Sequence, residues 1–292
     1  MINKTRDFVN ERGWVSLLIL VFLLPILLSC NTHKADLIIY GGTSAGISAA
    51  VEASKLGLSV IVVGPDVHIG GLTSSGLGWT DSGSKKVVGG LSREFYQRVK
   101  YVYDQAESWN YEEADACRYY IPSQDAVWVF EPHVAEMVFE QWVKENNIPV
   151  YRDHWLDRES GVQLKNSRIH SIRMLNGEVF RGKMFIDATY EGDLMAAAGV
   201  SYTIGRESNA QYAETKNGVN TKNARSHQFV LDVDPYQTIG DPASGLLPRI
   251  HSEKPGVEES GDLRIQAYCF RMCLTKVKEN QVAFPKPANY NP

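Results

Sequence analysis

Residues Asp36 to Tyr40 (DLIIY) form a short β-branched run that ends in a cluster of small residues, Gly41-Gly42-Thr43-Ser44-Ala45-Gly46. An alanine-rich amphipathic stretch follows from Ile47 to Leu56, and after Gly57 comes Leu58 to Val63 (LSVIVV), the pattern of a strand buried on both faces of a parallel sheet. Strand, tight turn, helix and strand make a β-α-β unit of about 30 residues. Further along, Val134, Met137, Val138 and Trp142 fall at helical spacing within residues 132–146 and predict a helix that turns all four toward the core. Ile148 to Tyr151 reads as a strand. Residues Val162 to Phe180 alternate apolar with polar, and Asn176-Gly177 supplies a hairpin turn, so an antiparallel flap is expected before Lys183 to Asp187 rejoins the sheet. From Arg206 onward the sequence becomes polar and loop-rich, with strand-like runs at Gln228 to Val233 and Ile265 to Phe270.

The first thirty residues stand apart from this pattern. Lys4, Arg6 and Arg12 precede an apolar run from Trp14 to Leu28 that ends in Ser29-Cys30. The run contains Pro25 and is shorter than the roughly 20 residues of a spanning helix, so it reads as an export signal. Leu27-Leu28-Ser29-Cys30 resembles the lipobox of bacterial lipoproteins, which implies cleavage before Cys30 and lipidation of its thiol. The expectation is an exported protein, held at the periplasmic or outer face of a bacterial membrane by an acyl chain.

Composition narrows the field. With 43% apolar and 22% charged residues the chain is an ordinary globular protein. A net charge of −4 argues against a nucleic-acid partner, which needs a basic face to neutralise phosphates. Four cysteines are too few for a disulfide-stapled scaffold or for several iron–sulfur clusters. No metal site is expected.

The turn at Gly41 to Gly46 suits a pyrophosphate, because N–H groups at a helix N-terminus point at an anion and small residues let it approach. It departs from the G-x-G-x-x-G pattern in having Thr43 where the middle glycine belongs. Thr43 fits there if its φ is negative, and its hydroxyl is then expected to donate to a phosphate. At the end of the second strand stands Gly64 instead of the acid that binds ribose hydroxyls, with Asp66 as the substitute two residues on.

The segment that follows is more specific. Gly70-Gly71-Leu72-Thr73 with Gly76-Leu77-Gly78-Trp79-Thr80-Asp81, then Gly89-Gly90-Leu91-Ser92-Arg93-Glu94-Phe95-Tyr96, Phe130-Glu131-Pro132-His133-Val134-Ala135-Glu136, and Phe185-Ile186-Asp187-Ala188-Thr189-Tyr190-Glu191-Gly192-Asp193 together resemble the bacterial FAD-dependent oxidoreductase family of two-dinucleotide-binding-fold flavoproteins. The resemblance implies an α/β fold with a Rossmann-like, FAD/NAD(P)-binding, doubly wound parallel sheet and an antiparallel flap. It implies FAD contacts from Gly41 to Gly46, from Pro65, from Gly70-Gly71-Leu72-Thr73, where glycine lets the backbone approach the cofactor, from Asp187-Ala188-Thr189, and from Gly192. On this reading residues 36–205 are the FAD-binding domain and 206–292 begin a substrate domain that is incomplete relative to the family, whose members return to the nucleotide fold near their C-terminus.

Flavin chemistry implies a small-molecule substrate, an electron acceptor and often a base. His68, His133, His154, His170, His227 and His251 are candidates, with His68 and His133 favoured by position and Arg206 as an anion partner. His68 adjoins the Gly-Gly loop, which also raises a covalent histidyl–flavin link. Cys269 and Cys273, spaced C-x-x-x-C, read as ordinary thiols or a disulfide, and Cys117 stands alone. Trp109, Tyr111, Tyr119, Tyr120, Trp128 and Phe130 read as packing. Two rival readings are an NAD-dependent dehydrogenase and a non-catalytic ligand-binding lipoprotein that keeps the fold.

Overall fold

The computed structural model describes residues 31–81, 83–224, 231–266 and 271–290. The export signal, Cys30, His227, Cys269 and most of the two strand-like runs lie outside the described residues. The described chain divides into two compact units, one of residues 31–200 with 271–290 and one within residues 201–270.

The first unit is built on a six-stranded sheet. Its strands are β1 (Thr32–Tyr40), β2 (Val60–Val63), β3 (Val150–Tyr151), β4 (Val162–Lys165), β5 (Arg168–Arg173) and β6 (Val179–Asp187), in the order β3-β2-β1-β6-β5-β4. β3, β2, β1 and β6 run parallel, while β5 and β4 turn back antiparallel. The flap therefore has two turns: the expected one before β6, where Gly177 N donates to Met174 O at 2.9 Å, and another at Asn166-Ser167, both at positive φ as a tight hairpin turn requires.

Alternation along the central strands divides the core in two. Leu37 and Ile39 of β1 with Val60 and Val62 of β2 face helices α1 (Ser44–Lys55), α2 (Gly90–Tyr103) and α3 (Pro132–Glu145). Ile38, Tyr40, Ile61 and Val63 face Leu156, Ile172, Met174, Phe180 and Leu194, the last on the short helix α4 (Asp193–Ala197). Burial of both faces explains why β2 reads as an unbroken apolar run. Pro132 opens α3 where a missing N–H costs nothing. The helix buries Val134, Ala135, Val138, Phe139, Trp142 and Val143. Met137 is instead 49% exposed, because the buried stripe runs in adjacent pairs and leaves it on the flank.

The second unit contains a hairpin of β7 (Tyr236–Thr238) and β8 (Asp241–Leu246). The described parts of the predicted strands, 231–233 and 265–266, are not in strands; the residues that find a pairing partner flank the turn at Ile239-Gly240. Arg206 and Asp262 bridge this unit internally, through backbone bonds and a two-point ion pair.

Candidate functional site

The turn between β1 and α1 is closed by the chain's own backbone. Gly41 has φ +111°, and a Cβ there would lie 2.8 Å from both Ala188 C and Thr189 N. A Cβ on Gly46 would lie 2.3 Å from Gly41 O. Glycine at these two positions lets β1, α1 and the end of β6 meet at one corner. Thr43 caps α1 with φ −68°, so the β-branched residue is unstrained. Its hydroxyl donates to Ala188 O at 2.7 Å and accepts from Gly46 N at 3.2 Å. The expectation that it would donate to a phosphate is thus corrected: the proton is already spent on a carbonyl at the turn. Asp66 does reach the turn, accepting from Gly42 N at 2.7 Å through Oδ2.

Gly70 and Gly71 form a second corner, tied to the first by Gly70 N donating to Gly42 O at 2.7 Å. Both have positive φ, and here side chains fill the spaces that Cβ atoms would take. A Cβ on Gly70 would lie 2.5 Å from the Phe139 ring, and one on Gly71 would lie 2.3 Å from the Tyr190 hydroxyl. The opening that the sequence suggested for a cofactor at these glycines is occupied by Phe139 and Tyr190. Asp187 organises the third segment. Its Oδ1 accepts from Thr189 N at 3.0 Å and Thr189 Oγ1 at 2.6 Å, its Oδ2 accepts from Met195 N at 2.8 Å, and Thr189 Oγ1 accepts from Gly192 N at 3.0 Å.

A cavity of about 290 Å³ opens at the N-terminus of α1. Ser44, Ala45 and Ser48 of α1, Thr73 of the second glycine loop and Ser92 and Tyr96 of α2 bring hydroxyls and small side chains to it, and Phe95, Phe139, Trp142 and Leu91 give it an apolar wall. No acidic residue is in that lining, and α1 has none in its first turn. The neighbouring motif is tied in as well: Thr80 donates to Tyr96 through its hydroxyl at 3.3 Å, and Phe130 N donates to Gly78 O at 3.0 Å. Segments widely separated in sequence thus converge on one place. A larger surface groove of about 830 Å³ along α3 and β3 includes no residue of either glycine loop.

A family model described as FAD dependent oxidoreductase matches residues 36–292. The chain belongs to this family. FAD is accordingly its cofactor, and the fold is the FAD-binding α/β fold that the motifs implied. No curated protein matches the sequence. Among solved structures the chain is similar to AlpK (13% identity, TM-score 0.38), covering 60% of this chain and 35% of that one. It is also similar to L-proline dehydrogenase from P. horikoshii (16%, TM-score 0.40; 61% and 59%) and to THI4 from Thermovibrio ammonificans (16%, TM-score 0.37; 69% and 76%). The chain spans little more than a third of AlpK and about three fifths of the proline dehydrogenase.

The residues present fit part of an FAD. A helix N-terminus opening on a hydroxyl-lined, acid-free cavity is suited to a pyrophosphate, and the apolar wall beside it to a ring. Ser44, Ala45 and Thr73 border that space; Gly41, Gly42, Gly46 and Ala188 build the corner behind it. Leu72 is exposed, Pro65 half-buried.

None of the candidate histidines of the first unit lines that cavity. His68 is on the surface, its Nδ1 2.8 Å from Glu136 Oε1. His133, in the first turn of α3, is exposed, as are His170 and His251. His154 packs edge-on to Tyr151 and Phe180, with Nδ1 donating to Arg152 O at 2.5 Å. Arg206 is not presented to an anion: Asp262 takes two of its N–H groups, at 3.0 and 2.8 Å, and the guanidinium holds the Asp262 carboxyl below its ordinary range. Cys117 and Cys273 are free thiols. The aromatic residues divide among several contacts, with Trp128 against Tyr96 at 4.3 Å and Trp109 against Tyr120 at 5.0 Å, while Tyr111 is exposed. Sequence reasoning missed Ser48, Tyr96, Phe139 and Tyr190. Tyr96 and Tyr190 lie within the motifs that carry the family resemblance, and Ser48 falls at helical spacing from Ser44; nothing local marks Phe139.

Proposed function

We propose that the chain is an exported, lipid-anchored FAD-dependent oxidoreductase that moves two electrons, as a hydride, between an organic small molecule and the flavin, with a separate electron acceptor completing the cycle. The observation that carries this reading is the acid-free, hydroxyl-lined cavity at the N-terminus of α1, walled by the glycine loop that bears Thr73. Bound FAD supplies the redox chemistry through its N5 position.

The protein's own residues do the rest. The first turn of α1 offers N–H groups and a favourable dipole to the pyrophosphate. Ser44, Ser48 and Thr73 add hydroxyl donors, and Asp66 fixes the glycine turn through Gly42 N. Phe139 and Trp142 keep water from the inner wall.

Two measurements test the reading. Anaerobic exposure of the FAD-loaded full-length protein to panels of organic donors should bleach the visible flavin absorption with at least one class. A chain that holds FAD and is reduced by none, and whose chemically reduced flavin passes electrons to no acceptor, is a binder and not an enzyme. Labelled fatty acid should be incorporated in the bacterial host and lost in Cys30→Ala. Incorporation that survives that change contradicts anchoring at Cys30.

A further inference from the structure

The hydroxyl of Tyr190 connects two segments that sequence alone leaves unrelated. It accepts a hydrogen bond from Leu72 N at 2.8 Å, across 118 positions of the chain. It stands where a side chain at position 71 would begin, 2.3 Å from the Cβ that Gly71 lacks. The Tyr190 ring is 59% exposed, so burial does not account for where it lies; the hydroxyl contact does. At its own end Tyr190 follows Thr189 directly, in a corner fixed by four hydrogen bonds centred on Asp187 and Thr189. At the other end the receiving loop is a single short turn, Gly71–Thr73, that begins after a left-handed Gly70. Thr73 of that turn lines the cavity.

Resting on the functional reading above, we propose that Tyr190 is a positioning residue for FAD: its hydroxyl transmits the rigidity of the Asp187–Thr189 corner to the Gly71–Thr73 turn and holds Thr73 at the cavity wall before the cofactor arrives. Gly71 on this account is glycine in order to admit a phenol. The geometry requires the oxygen and not merely an aromatic ring, which separates this role from packing.

The test is Tyr190→Phe in the full-length protein, read in two ways. Hydrogen exchange at the Leu72 amide, measured without FAD, should accelerate about fivefold to tenfold, the usual worth of one hydrogen bond. The FAD dissociation constant, from a spectral titration, should rise by a similar factor. Unchanged exchange at Leu72 overturns the clamp whether or not FAD binds. Faster exchange with FAD affinity within twofold of the parent overturns the positioning role. Failure of the parent protein to bind FAD overturns the functional reading itself, and the exchange measurement distinguishes that failure from the loss of the clamp. In a second variant pair, Gly71→Ala should cost less affinity in a Tyr190→Phe background than in the parent, because the oxygen that obstructs the new methyl is gone; additive losses contradict the account.

Discussion

The two glycine corners of the site look alike in sequence and differ in what fills them. At Gly41 and Gly46 the missing Cβ atoms make room for backbone, the Ala188-Thr189 peptide and the Gly41 carbonyl. At Gly70 and Gly71 they make room for side chains, the Phe139 ring and the Tyr190 hydroxyl. Backbone at the end of a central strand cannot retreat without breaking the sheet, whereas a side chain can be trimmed or turned. The first corner is therefore part of the frame, and the second is an adjustable wall of the cavity.

The difference has measurable consequences. The largest is at Gly41: a methyl placed 2.8 Å from two backbone atoms, at φ +111°, combines overpacking with a forbidden dihedral, and Gly41→Ala should cost about 3–5 kcal/mol. No side-chain substitution nearby should recover it; a second-site recovery measured by thermal melting would break the distinction between the corners. Next is Gly70→Ala, expected to cost about 2–4 kcal/mol. Phe139→Ala should restore part of that loss in a double-mutant cycle, since the obstacle is a ring; full additivity would place the second corner with the first.

Smaller effects sharpen the contrast. Thr43→Val should cost about 1–2 kcal/mol, the price of a lost helix cap, because the hydroxyl serves Gly46 N and Ala188 O; FAD affinity should fall less than stability if the hydroxyl is structural, and a larger fall in affinity would return Thr43 to the ligand. The smallest effect is electrostatic and lies away from both corners. The Arg173 guanidinium, then the backbone and hydroxyl of Ser160, hold the Asp157 carboxyl far below the ordinary carboxylate range. A carboxyl with a depressed folded-state pKa contributes stability above its unfolded value of about 4 and loses it as pH falls. Asp157→Asn should flatten the acid limb of a stability profile, modestly, because the group is at the surface. The deficits of the Gly41 and Gly70 variants should be the same at neutral and mildly acid pH, since neither involves a proton.

Much of the frame was legible because it is local. β1, the glycine turn, α1 and β2 follow one another, and two-sided burial leaves a short β-branched run between Gly57 and Gly64 that its length and flanking glycines mark as a strand. The site was legible as segments and not as contacts. Nothing near Gly70 shows that a ring 69 positions further on will occupy its open side, or that Tyr190 will reach Leu72. Thr43 illustrates a different limit: its fit to the turn was conditional on a negative φ, which the structure supplies at −68°, and the fate of its hydroxyl depended on where the Ala188 carbonyl would lie. Met137 shares the helical spacing of its neighbours yet sits on the flank, because the width of a buried stripe is set by what packs against it.

The central claim is that the cavity between α1 and the second glycine loop is where FAD is held. It is tested most directly by titrating FAD into the full-length protein beside its Ser48→Trp variant, while following the flavin's visible spectrum. Ser48 lines the cavity from α1, so an indole there fills the space and leaves both glycine corners unaltered. The account predicts saturable perturbation of the spectrum by the parent chain and its loss in a variant still folded by circular dichroism. Equal binding by both, or none by the folded parent, would contradict it.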